Sequence, residues 1–482
     1  MPTLWPEDSA TVRLWSFTRD VLVESADTAY TLLLVTRWGE FVIGPGEAVV
    51  AESLHRMAFG PVSLRNTIPI TASGRPDSRS ARTVARVLDR LSGAVVHSLA
   101  LPDGHGPVLS VEPLVVAPPF RPRPVPQAAR VRLPRFAALR PEDGLLVLEC
   151  PGAPYRGLLG HPAARVLVTT LVQPVDPAAL AVATGLSPGV VGDMLSFLVA
   201  AGVVLVASPT GTFAEDYDAD LRTWTQHELQ FHAGSRHRTR TDPDHGDLWA
   251  GPPAVTRPLP GGRRFRLRRP DLDAVRRADP PLSELLETAG DVPRLGVGVP
   301  TVVQLGELLY RAAGIRSVGP APVAPGVAPA YESSQRPYSS LAGLYELELF
   351  VTVDRCTGLA RGIYHYDPLD HALTLVEETE DRVDGLLDAG RLGAGSPRRP
   401  ALLMSIAARI GRVSWIFPGG AYAVALQHCG SFQETLRLVA SAMGLAAYAV
   451  RIEAHGVDDL LGLRWPAEVG LGECLIDLLP DG

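Results

Sequence analysis

The chain of 482 residues contains no lysine; all 45 of its lysine-plus-arginine positions are arginine. That absence fits the composition bias of a GC-rich coding sequence, but it also has chemical consequences. A phosphate-gripping lysine in a glycine-rich loop, a Schiff-base lysine and a lysine general base are all excluded. Cysteine is scarce: Cys150, Cys356, Cys429 and Cys474 stand far apart with no CxxC pair. Neither a zinc site nor a disulfide framework is therefore expected, and a reducing cytoplasm fits. No uninterrupted apolar run approaches the roughly 20 residues that cross a bilayer. The opening MPTLWPEDSATVRLW carries acidic residues and lacks the basic-then-apolar layout of a secretory signal. The net charge of -7 carries no strong excess of either sign, so neither nucleic acid nor a membrane surface is the expected partner.

The length exceeds what one ordinary core supports, so roughly two to four domains are expected. Residues 1–117 read as strands (VRLW, DVLVE, YTLLLVTRW, EFVI), two helices (AVVAESLHRMA, SRSARTVARVLDRLSG) and a closing ribbon, a winged-helix-like module. Residues 118–135, rich in proline and arginine, read as a linker. The pattern recurs in a second winged-helix-like module over 136–215. In LSPGVVGDMLSFLVAAGVV, Ser187 is placed to cap a helix, Pro188 to open it and Gly202 to end it. No cation falls between Ser187 and Val206. A helix that reads DNA needs phosphate contacts, so this module is expected to hold peptide or to be structural. Residues 216–270 read as a connector, including the arginine-rich RRFRLRRP, which lacks the aromatic ladder of a nucleic-acid groove.

From residue 271 to 482 helix and strand alternate in an α+β layout. TVVQLGELLYRAAG is an amphipathic helix ended by Gly314, LYELELFVTVD a strand, GIYHYDP and ALTLVEE a hairpin-like pair, and ALLMSIAAR a buried strand. SFQETLRLVASAMG is a helix that runs, at Gly444, into another strand, and GECLIDLL closes the chain as a strand.

Three blocks of this sequence resemble the SagB-type branch of the nitroreductase superfamily, the azoline dehydrogenases. The most specific is Arg336 to Glu378, with Ser339-Ser340-Leu341-Ala342-Gly343, Tyr345, the ribbon Gly362-Ile363-Tyr364-His365-Tyr366-Asp367-Pro368, and His371-Ala372-Leu373. The second holds Gly430, Gln433 and the Gly444-Leu445 pair; the third holds Trp224, Phe231, His232 and Ser235-Arg236. LVTRWGEFVI and AFGPVSL near the N-terminus resemble actinobacterial members of the branch. The resemblance implies FMN at a homodimer interface, a precursor peptide as substrate, and a YcaO-type cyclodehydratase as partner. It implies cofactor contacts at Arg294, Ser339, Ser340, Gly343, Arg412, Gln433, Gly444 and Leu445. Small residues at Ser339, Ser340 and Gly343 suit close backbone approach to a flat ring, and Gly444 would do the same from the other side.

Two features depart from the branch. Its FMN domain opens on an Arg-Arg-Ser-x-Arg run that grips phosphate. Here Thr288-Ala289-Gly290-Asp291-Val292-Pro293-Arg294 stands in that place, with Arg294 its one cation. The branch also carries a Lys-Tyr pair after a tryptophan. Here Ile416 and Phe417 follow Trp415, and neither accepts a proton. Azoline oxidation removes a ring proton and passes a hydride to the flavin; a positioned base speeds such a step about a hundred- to ten-thousand-fold. Tyr422 and His428, expected in a strand lining the same cavity, are the nearest titratable candidates. A phenol is a poor base at neutral pH and an imidazole a suitable one. The expected function is FMN-dependent oxidation of azoline to azole. A degenerate fold serving as a peptide-binding or scaffolding subunit stays open as the alternative.

Overall fold

The structure, a computed structural model, describes residues 9–25, 31–44, 48–72, 76–102, 106–116, 119–236, 254–287, 296, 298–321, 331–417, 419–452 and 457–479. The chain divides into two compact units, Met1–Thr239 and Arg240–Gly482.

The first unit runs β1 (Val12–Phe17), β2 (Leu22–Ser25), β3 (Leu32–Thr36), β4 (Gly39–Ile43), α1 (Ala48–Met57), α2 (Ser78–Arg90), β5 (Val95–Ala100), β6 (Pro107–Pro113), β7 (Val131–Arg132), β8 (Ala138–Glu142), β9 (Leu145–Glu149), β10 (Tyr155–Leu159), α3 (Pro162–Thr170), α4 (Pro177–Thr184), α5 (Pro188–Ala200), β11 (Leu205–Val206) and α6 (Gln226–Arg236). Its main sheet has the order β1-β5-β6-β10-β9-β8. Strands expected in two separate modules thus share one sheet, joined where β6 pairs antiparallel with β10. Residues 118–135 are not a free linker. Phe120, Val125 and Val131 are buried in the same core as Leu109, Leu148, Leu167 and Leu195, since their apolar side chains gain more from burial than from exposure. Helix α5 starts and stops as its sequence dictates. The Ser187 hydroxyl accepts from the Val190 N–H, Pro188 sits in the first turn, and Gly202 takes φ +81° just past the end.

The second unit runs β12 (Arg264–Arg266), α7 (Leu272–Ala278), α8 (Leu282–Glu287), α9 (Val302–Ala313), β13 (Ser317–Pro320), β14 (Glu332–Gln335), β15 (Leu347–Val353), β16 (Gly362–Asp367), β17 (Ala372–Glu377), α10 (Glu380–Gly393), β18 (Leu402–Arg409), α11 (Ile410–Ser414), α12 (Ala421–Ala442), β19 (Leu445–Val450), α13 (Val457–Leu461) and β20 (Glu468–Leu478). Seven strands form one sheet in the order β12-β17-β16-β15-β18-β20-β19, every pair antiparallel. The fold class is α+β, as expected. β15 is central and buried along its whole length. Leu347, Leu349, Val351 and Val353 share a core with residues of α9 and α12, and Phe350 shares another with α10 and α13. A strand covered on both faces reads as a near-continuous apolar run, and LELFVTV does. Helix α9 opens with a capping box: Thr301 accepts from the Gln304 N–H at 3.2 Å, and Gln304 accepts from the Thr301 N–H at 2.9 Å.

Two expectations are corrected here. The arginine-rich stretch placed in a connector is instead the edge strand β12, paired with β17, where Arg264 forms an ion pair with Asp370 at 2.8 Å. Helix α12 begins at Ala421, ten residues before the expected Ser431. Tyr422 and His428 therefore lie on a helix and not in a strand. AYAVALQHC reads as apolar alternation, but its alanines and leucine favour helix, and continuity with the helical SFQETLRLVASA decides it.

Candidate active site

The candidate site is a turn, Ser340 to Tyr345, between β14 and β15. Ala342, Gly343 and Tyr345 all have positive φ, at 55°, 63° and 48°. Two of these are not glycine, and such backbone persists only where the surroundings over-determine it. Five side chains do so here. The Ser340 hydroxyl accepts from the Tyr345 N–H at 3.0 Å. His428 accepts from the Leu341 N–H at 2.7 Å. Tyr331 donates to the Ala342 carbonyl, Ser333 to the Gly343 carbonyl, and the Arg412 guanidinium to the Leu344 carbonyl. The Leu341 side chain is exposed.

Around the turn lies a small apolar cluster. Tyr331, Leu344, Val413 and Ala421 are buried in it, with Ala342, Trp415, Ile416, Phe417 and Val424 packed against them. The segment Trp415–Phe417 and the start of α12 therefore meet the turn. Ile416 and Phe417, in the places of a Lys-Tyr pair, act as packing. Trp415 crosses the Tyr331 ring edge to face at 5.0 Å. Its Nε1 is buried and has no hydrogen-bond partner among the described residues.

Beneath the turn is a charged layer. Glu346 is fully buried and takes His428 Nδ1 at 2.8 and 3.0 Å. Since the Leu341 N–H points at Nε2, Nε2 must carry the lone pair and Nδ1 the proton. Both ring nitrogens are thus engaged, and His428 is not available as a base. Glu348 pairs with His365 at 2.9 Å and with Arg409 at 2.8 Å. Arg409 also donates to the Ala254 and Val255 carbonyls at 2.6 and 2.8 Å. Burial pushes the Arg412 guanidinium down to about 10, helped by repulsion from Arg409 and Arg336. Its second described donor bond runs to the Glu332 carbonyl at 2.9 Å.

Among the expected cofactor residues, Ser339, Ser340 and Gly343 belong to this turn or its approach. The Ser339 N–H donates to the Ser431 hydroxyl at 3.2 Å. Arg412 is present beneath it, but its described bonds hold backbone carbonyls. Gln433 faces β20, donating to the Glu473 carbonyl at 3.4 Å. Gly444 and Leu445 follow the end of α12, sixteen residues beyond His428, roughly 24 Å along a helix axis. Gly444 takes φ 69° there as an ordinary helix terminator. It does not share the turn's surroundings. Arg294 lies outside the described residues. Tyr422 is 46% exposed in the first turn of α12, next to buried Ala421. Sequence reasoning missed Glu346, Ser333 and Tyr331. The signal for Glu346 was there: an acid in YELEL, just before an apolar strand.

The isoalloxazine half of a flavin fits these residues. The turn carries the small residues Ser340, Ala342 and Gly343 with the exposed Leu341, and the buried indole N–H of Trp415 has no acceptor among the described residues, which a ring carbonyl or nitrogen would supply. The phosphate half has no such match in Arg412, whose described donors are spent on the chain itself.

Comparison with known proteins finds one family model and several solved structures that resemble parts of the chain. Residues 131–241 match the family model described as cyanobactin oxidase ThcOx. No curated protein matches. Among solved structures, a protein assigned as a nitroreductase from Anabaena variabilis is similar at 20% identity and TM-score 0.36, covering 51% of this chain and 45% of its own. The match thus spans less than half of that relative. The Escherichia coli microcin synthetase McbBCD complex, with truncated pro-MccB17 bound, contains a chain similar at 18% identity and TM-score 0.34, covering 50% of this chain and 84% of that one. A nitroreductase assigned in complex with FMN from Exiguobacterium sibiricum is similar at 9% identity and TM-score 0.29, covering 42% and 90%. The chain is similar to ThcOx-type oxidases in one segment and to nitroreductases over about half its length.

Proposed function

We propose that the chain is a divergent SagB-type dehydrogenase that oxidises azoline rings to azoles in a ribosomally made peptide, using FMN. The observation that carries this reading is the turn Ser340–Tyr345. It falls in the sequence block most specific to that branch, and its strained backbone is held by five side chains beside a buried donor that is unpaired among the described residues. The cyanobactin-oxidase match supports it from a second part of the chain. When bound, FMN supplies the hydride acceptor. The chain's own residues would hold the ring edge at Ser339, Ser340 and Gly343, and offer the Trp415 N–H. Arg294 is the proposed phosphate cation; Gln433, Gly444, Leu445 and Arg412 are supporting and not contacting in this reading. The proton that leaves the azoline ring would be taken up by Tyr422 or by water.

The first unit is proposed to hold the precursor peptide, and a YcaO-type cyclodehydratase to be the working partner. Full-length protein should then bind that peptide and show no salt-dependent binding to duplex DNA. The protein is proposed to be a cytoplasmic homodimer, which light scattering at micromolar concentration tests. No single described helix is long and apolar enough to cross a membrane, and all four cysteines are free.

The deciding measurement is the visible spectrum of the purified protein, followed by anaerobic mixing with an azoline peptide. Bound flavin near one per chain that bleaches on mixing is the expected result. Absence of flavin, even after incubation with FMN, replaces the dehydrogenase by the scaffolding reading.

A further inference from the structure

We infer that the buried Glu346–His428 pair is a positioning device: it fixes the backbone of the Ser340–Tyr345 turn through the Leu341 N–H, and so governs how tightly the flavin ring is held there. The second clause rests on the proposed flavin site; the first stands on geometry alone.

Of the turn's other four anchors, three are hydroxyls, from Tyr331, Ser333 and Ser340, on the turn or shortly before it in the chain, and one is the buried Arg412 guanidinium. The fifth reaches from the core. His428 is buried in the middle of α12, yet its Nε2 accepts at 2.7 Å from the N–H of Leu341, whose own side chain is exposed. One helix residue thus ties the rigid core to the outermost residue of the strained segment. The bond exists only while Nε2 keeps its lone pair. A neutral imidazole can place its proton on either nitrogen, and the partner of the other nitrogen decides which. Glu346 makes that choice, with both of its oxygens within 3.0 Å of Nδ1.

Packing alone gives no reason for this arrangement. A fully buried carboxylate is costly unless it is paired, and an apolar residue at each position would fill the same volume. The pair is explained if the hydrogen bond to Leu341 must be made in one sense only. Ala342 immediately follows that bond and carries the first positive φ of the turn. Without the anchor, relaxation of Ala342 to ordinary backbone is favoured. The carbonyl and N–H directions of the turn would then change, and with them the surface offered to a ring edge.

Two substitutions separate the roles of the two nitrogens. In His428→Gln the side-chain oxygen reaches the place of Nε2 and still accepts from Leu341. In His428→Asn the shorter amide reaches the place of Nδ1, stays with Glu346 and loses Leu341. Hydrogen–deuterium exchange at the Leu341 amide, FMN titration by fluorescence quenching, and melting temperature are measured on the full chain. We expect His428→Gln to keep amide protection and FMN affinity within about threefold of the unmodified protein. His428→Asn should lose at least about tenfold in both, the scale set by one lost buried hydrogen bond. Equal effects in the two variants, or unchanged Leu341 exchange in His428→Asn, overturn the inference. If neither variant folds, nitrogen NMR of the unmodified protein decides, since a proton found on Nε2 is incompatible with it. If the unmodified protein binds no FMN, the proposed function fails, while the exchange and tautomer results still judge the pair.

Discussion

Glu348 and His365 meet across neighbouring strands, carboxylate to Nε2 at 2.9 Å, with Arg409 on the other carboxylate oxygen at 2.8 Å. Burial alone would raise the Glu348 carboxyl. The His365 hydrogen bond and the Arg409 charge outweigh it, so the group lies below the ordinary carboxylate range. An acid depressed in the folded state stabilises the fold above its unfolded pKa of about 4.3. That contribution is lost as pH falls through the folded value.

The expected outcome is a melting temperature that drops steeply below about pH 4 in the unmodified protein and less steeply in Glu348→Gln. At neutral pH, Glu348→Gln should also cost roughly 2–4 kcal/mol, because Arg409 is left buried without its counter-charge. Calorimetry from pH 2 to 7 checks both. Parallel curves for the two proteins would show that the triad is not the acid-sensitive element.

Glu473 behaves in the opposite sense. It is buried on β20, and burial followed by repulsion from Asp458 pushes its carboxyl up to about 7. Here the folded state holds the proton longer than the unfolded chain does. Stability therefore falls as pH rises from about 4.3 to 7, then levels off. Glu473→Gln keeps the shape and removes the titration. It should be more stable than the unmodified protein at pH 8, by the order of 1–3 kcal/mol, and nearly equal at pH 4. A variant that loses stability at pH 8 would mean that the carboxylate has a partner it needs.

Arg412 forks between the Leu344 and Glu332 carbonyls from a fully buried position. A lysine there cannot reproduce the planar geometry and is harder to desolvate. Arg412→Lys should destabilise the fold by roughly 2–4 kcal/mol and loosen the turn above it, read as faster amide exchange over Ala342 to Tyr345. Normal stability with normal exchange would remove Arg412 from the set of anchors.

The sequence made some of this legible, for definite reasons. β15, β16, β17 and β18 could be placed because apolar runs bounded by turn residues are strong local signals. The start of α12 could not, since alanine and glycine around Gly419 and Gly420 give no capping residue, and the alternating AYAVAL imitates a strand. The shared sheet of the first unit was hidden for another reason. Proline and arginine at 118–135 look like linker, while three apolar residues among them, Phe120, Val125 and Val131, carry the packing. At the candidate site, Ser340 and Gly343 were named from the family resemblance, and the fold puts both in one turn. Glu346 was missed because the alternating acids of YELEL read as solvent-facing until both faces of the sheet are known to be covered.

The proton-transfer step gives the last test. Sequence position made Tyr422 and His428 equal candidates for the base missing at Ile416 and Phe417. The fold removes His428 from the pair. His428 has both nitrogens engaged, with Glu346 and with the Leu341 N–H. Tyr422 is half-exposed at the start of α12, where Ala421 packs against the same cluster as the turn. If the dehydrogenase reading holds, Tyr422→Phe should slow single-turnover flavin reduction by an azoline peptide at least about tenfold, short of the roughly hundred- to ten-thousand-fold of a fully effective acid–base group because water can take part of the role. FMN content should be unchanged. His428→Gln should alter the same rate by less than about threefold, since it keeps the turn anchored. The pH profile adds a second readout. Loss of a side-chain acid–base group removes its limb from the rate profile, whereas a packing defect lowers the rate at every pH. An unchanged rate in Tyr422→Phe would assign the proton to water, which reaches the exposed face of the turn beside Leu341.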